Sequence, residues 1–286
     1  MIRCSTSSWI SSVTLGGVTL SSVTWLAALA FAAGSLVCAN DAAAFAGMVS
    51  PARFELKAVP GDKLSQVIEI GNDAVVSDDY LVSTADWKLN AQGGVEYSEA
   101  LQPSSCRPWV RIERQKVKMG PRALRKFRFE VHVPADAQPQ ECRFALLVEK
   151  APDNLPQVAA GTIQFPLQGR IGVIVYISIG DVKPQLELRS LGRVQMNGNP
   201  TLAATFHNTG NAHGRPEGIL EGTDANGKKL EFTVSPFPIL PGETRSVAIW
   251  PQEEANGKTP SFAYPLRLRG NIEWAGGKQA VDATIK

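Results

Sequence analysis

Few side chains in this 286-residue sequence could do covalent or metal chemistry: three histidines, four cysteines, and carboxylates dispersed among turn signals. His207 and His213, with Asn208 and Glu217 close by, form the one grouping that invites a metal ion. Their spacing across Asn208-Thr209-Gly210 matches no common ligand pattern, and no further His or Cys lies near them in sequence. Hydrolysis needs a nucleophile with a positioned base, and no nucleophile-elbow pattern occurs. The sequence therefore predicts no catalytic residue, no metal and no cofactor, and so a protein that acts by binding or as a structural module.

Residues 1–46 read as an export leader. Arg3 is the only early charged side chain, and an apolar run from Trp25 to Ala33 precedes two small-residue cleavage points, Val37-Cys38-Ala39 and Ala44-Phe45-Ala46. The alternative, a membrane anchor, meets a shortfall: Ser and Thr dilute the region before Trp25, and a span needs about 20 apolar residues. Cys38 does not read as a lipid-attachment site, because Val37 before it is too large. Past the leader no segment approaches a membrane span. The net charge of +2, with both signs interspersed, gives nucleic acid no support. Two cysteines remain, Cys106 and Cys142; an even pair in an exported chain predicts one disulfide, against the alternative of two buried thiols.

The elements that must position these residues are strands. Short alternating runs separated by Pro60-Gly61, Gly71-Asn72, Gly93-Gly94, Gly120-Pro121 and Pro134-Ala135-Asp136 predict strands at 53–59, 64–71, 79–89, 109–119, 125–133 and 142–150. A much longer strand is then predicted from Ile163 to Ile179, with Ile163, Phe165, Leu167, Ile171, Val173, Val175, Ile177 and Ile179 on one face. After Asp181-Val182-Lys183-Pro184 the pattern restarts, with strands at 185–195, 201–207, 215–223, 229–234, 244–249, 263–270 and 279–284. Asn226-Gly227 is the clearest hairpin turn. The expected fold class is all-β: a leader (1–46) and two immunoglobulin-like β-sandwich domains, 47–182 and 183–286. Trp87 and Trp109 are expected in the first sandwich's core.

Val49-Ser50-Pro51-Ala52-Arg53, Ile68-Glu69-Ile70-Gly71-Asn72, Tyr80-Leu81-Val82 with Asp86-Trp87, Val131-His132-Val133-Pro134 with Glu141-Cys142-Arg143-Phe144, and Gln168-Gly169-Arg170-Ile171 stand in this order along the chain. Together they resemble successive strands of the PapD-like periplasmic chaperones that assemble pili. The resemblance implies a periplasmic chaperone that lends a strand to an incomplete pilin-like subunit and passes it to an outer-membrane usher. The apolar residues lent to the client would be Ile163, Phe165 and Leu167. Arg53 matches the first of two basic residues that hold the client's C-terminal carboxylate. The second, a lysine in the family, falls at Gly172; Arg170, two residues earlier on the same strand face, is the conjectured replacement. Pro166 is a further departure, because proline donates no ladder bond. The rival reading is a structural or adhesive surface module of the same fold, with the long strand wholly internal; a third is a peptide- or glycan-binding protein.

Overall fold

Alternation of apolar and polar residues between 47 and 179 folds the chain into two facing sheets. The computed structural model describes residues 47–90, 92–152, 157–160, 163–166, 169–254 and 257–286, with backbone only for 157–160 and 163–166. The expected leader therefore lies outside the described residues. One sheet holds β1 (Gly47–Ser50), β3 (Lys63–Asn72), β8 (Leu124–His132) and β6 (Val110–Ile112), in the order β1-β3-β8-β6. The other holds β2 (Arg53–Ala58), β12 (Arg170–Ile179), β9 (Gln140–Lys150), β4 (Asp78–Leu89) and β5 (Val95–Ser98), in that order, with β7 (Lys116–Met119) also paired to β4. The chain changes sheets between β1 and β2, at Pro51, where no N–H is available to continue a ladder.

Between the sheets lies one apolar core. Val173, Val175, Ile177 and Ile179 of β12 are fully buried there, against Phe129 of β8 and Phe144 of β9 among others. Burying each aliphatic side chain contributes roughly 1.5–3 kcal/mol, so β12 is held chiefly by this face. Cys106 and Cys142 are joined by a disulfide in the same core, with Cα atoms 5.5 Å apart, as expected from the even pair.

Three sequence expectations change. The strand expected from Ile163 to Ile179 is two strands in different sheets. β11 (Ile163–Pro166) pairs with β10 (Gln157–Ala160) as a separate antiparallel ribbon, and β12 begins only at Arg170. Pro166 is the last residue of β11, which suits a residue that cannot donate to a ladder. The strand expected over 109–119 is also divided: a 3-10 turn (Arg107–Trp109) leads into β6 on one sheet, and β7 joins the other. Finally, Trp87 is buried on the outer face of its sheet rather than in the sandwich core, because its register places it with Ala85 and Tyr176.

The second sandwich is a seven-stranded sheet folded around its own core, ordered β13 (Leu186–Met196), β14 (Asn199–Asn208), β17 (Thr244–Pro251), β16 (Lys229–Val234), β15 (Gly218–Thr223), β18 (Leu266–Trp274) and β19 (Gly277–Ile285). The first part of β17 pairs with β14 and its last part with β16, which lets one sheet wrap. The hairpin expected at Asn226-Gly227 joins β15 and β16. Gly227 takes φ +78°, and the Asp224 carboxylate accepts the N–H groups of Asn226 and Lys228 at 2.8 Å each. Among the described residues no helix is long and apolar enough to cross a membrane.

Reducing the Cys106–Cys142 bond, which closes a separation of 36 residues, is expected to lower stability by about 3–4 kcal/mol on the chain-entropy account. Urea unfolding with and without reductant measures this; an unchanged midpoint would show that the bond does not restrain the unfolded chain.

Candidate functional site

The alternation that buries the odd residues of β12 turns its even residues outward. Ile174, Tyr176 and Ser178 face out beside Arg53, Glu55 and Lys57 of β2, their register partners. On the other side Tyr176 pairs with Arg143 and Ser178 with Glu141, both on β9. This outer face is covered: Ala85, Trp87, Ala145, Leu147 and Tyr176 form a third apolar cluster with Leu240 of the second sandwich. The described residues of both sandwiches belong to one compact unit, and the cleft between them is the candidate site.

Its centre is His213, in the loop between β14 and β15. Its ring stacks on Tyr176 with centroids 3.8 Å apart and planes 19° from parallel. Its backbone N–H donates to Glu141 Oε1 at 2.8 Å, and ring Nδ1 lies 2.8 Å from Glu141 Oε2. The Glu141 side chain is 3% exposed and that of His213 is 8%, so water competes little for this pair. Nε2 of His213 reaches Glu55 Oε1 at 3.5 Å. The same oxygen accepts from Arg53 Nε at 2.9 Å and from Arg215 Nε at 3.2 Å, and Arg215 Nη1 donates to the Pro236 carbonyl at 3.1 Å. Burial pushes the Glu55 carboxyl up, but the charges of His213, Arg53 and Arg215 outweigh it and leave the group below its ordinary value of 4.5. Burial drives the Tyr176 phenol far upward, so it stays protonated.

Two cavities flank this network and share Arg53, Tyr176 and Arg215. One, of about 590 Å³, is lined by Glu55, Glu141 and His213. The other, of about 320 Å³, has an apolar wall from both sandwiches, including Trp87, Leu89, Ile174 and Phe237.

Arg53 lies in the cleft, its side chain 49% exposed. Among the described residues its two terminal nitrogens hold no bond. Arg170 does not join it. It pairs with Glu149, its register partner, at 2.9 Å, and sits four residues before Ile174, the partner of Arg53. At about 3.3 Å per residue that is roughly 13 Å along the strand. The two arginines share a sheet face without meeting; the second cation beside Arg53 is Arg215. At Gly172 a side chain would run into the Tyr97 hydroxyl and ring. Tyr97 thus fills the place of the expected lysine, and burial raises its phenol while Arg170 pulls it partly back. Of the residues expected to be lent to a client, Ile163 and Phe165 lie in β11, and their side chains, like all of Leu167, lie outside the described residues. His207 is apart from His213, with Nδ1 2.9 Å from Thr244 Oγ1.

Sequence reasoning missed Glu55, Glu141, Tyr176 and Arg215, and weighed His213 only as a metal ligand. A signal existed for Tyr176, since a large aromatic on the outward register of a strand calls for a covering layer. Nothing local marks Arg215, which precedes a strand in an unremarkable loop.

No protein-family model and no curated sequence matches the chain. Solved structures do match in shape. The YadV chaperone is 11% identical, with 84% of this chain and 99% of that one covered at a TM-score of 0.44. The Pseudomonas aeruginosa CupB2 chaperone is 10% identical over 84% and 100%, also at 0.44. A CsuC–CsuE chaperone and tip-subunit pre-assembly complex from Acinetobacter baumannii is 13% identical over 84% and 97%, at 0.42. The likeness to these chaperones is one of fold alone. What the site does must come from its own geometry.

Two outcomes follow from the network. Glu141→Ala removes two charge-assisted hydrogen bonds worth about 1.5–3 kcal/mol each, and a loss of stability under about 1 kcal/mol in urea unfolding would refute the clamp. Glu55, with a lowered folded value, contributes stability that is whole above the ordinary 4.5 and fades as pH falls through the lower one. The stability difference between wild type and Glu55→Gln should accordingly shrink on acidification below 4.5; a difference constant down to pH 2 contradicts the charge network.

Proposed function

We propose that this chain is an exported, non-catalytic chaperone-like protein that binds a pilin-type subunit by strand addition and passes it to an outer-membrane usher for surface-fibre assembly. Its domains are then 47–182 and 183–286, with the periplasm as its compartment. The observation that carries this reading is an open sheet edge. β12 pairs with β9 along its whole length, but with β2 only from Ile174 onward. Over Arg170–Val173 the edge facing β2 has no ladder partner among the described strands. Because Ile174 N–H donates to the Ala52 carbonyl, the N–H and C=O of Gly172, two residues earlier, point to the same side. An extended segment laid there completes the ladder.

Geometry also gives the added strand a direction. Placed parallel to β12 and collinear with β2, it ends where β2 begins, at Arg53. Its terminal carboxylate then meets the two terminal nitrogens of Arg53, with Arg215 across the cleft. A charge-assisted bond of this kind is worth about 1.5–3 kcal/mol, enough to set the register of the added strand. In this reading Arg215 takes the place first conjectured for Arg170, and Arg170 marks the far end of the open edge. Ile163, Phe165 and Leu167 remain proposed contributors to the client's core.

Capture from a periplasmic extract should recover a pilin-like chain with the wild type and at least about tenfold less with Arg53→Ala, as loss of one charge-assisted bond predicts. In the complex, hydrogen exchange at the Gly172 amide should slow markedly. Client binding that leaves this amide unprotected would rule out addition at the β12 edge.

A further inference from the structure

Resting on that reading, we infer that the cleft also selects the last side chain of the client. The roughly 320 Å³ cavity between the sandwiches takes a large apolar or aromatic residue at a free polypeptide C-terminus. Three observations carry this. The walls are apolar on both sides: Trp87, Leu89 and Ile174 from the first sandwich, Phe237 with Pro236 and Pro238 from the second. The charged residues in that lining are Arg53 and Arg215, with no carboxylate, so the cavity suits an apolar body that carries one negative charge. It also adjoins the open edge, because Ala52, Arg53 and Ile174 line it and mark the point where the unpaired stretch of β12 ends.

The second sandwich thereby gains a part in recognition. Phe237 packs beside Gly93 and under Arg245, whose guanidinium lies 5.5 Å from its ring centroid and whose Nη1 donates to the Asn90 carbonyl at 3.1 Å. These contacts tie the cavity's far wall to the turn that follows β4. The wall is preformed, so the terminal side chain is bound without ordering a loop. The size, at the lower end of the usual range for ligand pockets of about 300–1,000 Å³, accommodates one large side chain. A free apolar carboxylate shares this chemistry, but the ladder edge alongside favours a peptide.

The test uses the exported, purified protein and fluorescein-labelled ten-residue peptides of alternating Val and Thr. They end in Phe, Gly or Asp as free acids, or in Phe as the amide; titration is followed by fluorescence anisotropy. The Phe acid should bind at least about tenfold tighter than the Gly acid, the gain from burying one large apolar side chain. Amidation should cost about tenfold or more. Phe237→Ala should abolish the preference for the Phe acid over the Gly acid; a preference kept in full would overturn the pocket. Val95→Asp, at an exposed position on an edge strand that lines the cavity, should weaken the Phe acid with no change in melting temperature. Equal binding of the Phe- and Gly-ended acids overturns the terminal-residue pocket and leaves strand addition standing. No binding of any peptide overturns both. Binding of 3-phenylpropanoate as tight as the Phe peptide would mean a small-molecule carboxylate site instead, and would also overturn the proposal.

Discussion

The site exists because Glu141 of the first sandwich holds His213 of the second through both its backbone N–H and its ring, with the ring laid flat on Tyr176. Both partners are almost wholly removed from water, so their hydrogen bonds are not exchanged for bonds to solvent and the geometry is stiff. The ion pairs around the rim are of another kind. Arg53 and Glu55 are each about half exposed, and pairs of that sort add little to stability. The buried contact sets the angle of the cleft, while the rim supplies charge that a ligand can redirect.

β12 is the element on which everything else is hung. One face supplies the deepest residues of the first core, and the other supplies Ile174 and Tyr176 to the cleft. Its two edges are unequal: β9 covers one fully, and β2 covers only part of the other. A strand whose edge has no ladder partner among the described strands over four residues, anchored so firmly by its core face, offers rigid hydrogen-bonding groups instead of a mobile loop. Gly172 lies in that stretch, and the absence of a side chain lets Tyr97 come down over the strand. The cation that the family resemblance places at this position therefore has no room, and Arg215 approaches from the opposite wall.

Much of this was legible beforehand, for definite reasons. Strands such as 229–234 and 125–133 announced themselves because each buries one face, and a two-residue period records that directly. Pro166 is visible in the sequence as a defect in the ladder, yet it does not by itself say that the strand ends there. Alternation continues through 163–179, and periodicity alone does not say whether consecutive residues share a sheet. Trp87 was assigned to the core on its apolar character, and it is buried, yet on the other face of its sheet. Burial against a second domain and burial within the first look the same in one strand's composition.

The sequence by itself determined the class of fold and the disulfide, since each follows from local chemistry: strand period and cysteine parity. Only the tertiary structure decided which charges meet. Arg170 and Arg53 share a sheet face but are held apart by the length of strand between them. Glu141, His213, Glu55 and Arg215, separated by up to 160 positions along the chain, converge because two sandwiches close over Tyr176. Contacts between domains leave no period in either partner, and that is why the cleft could not be read before the chain was folded.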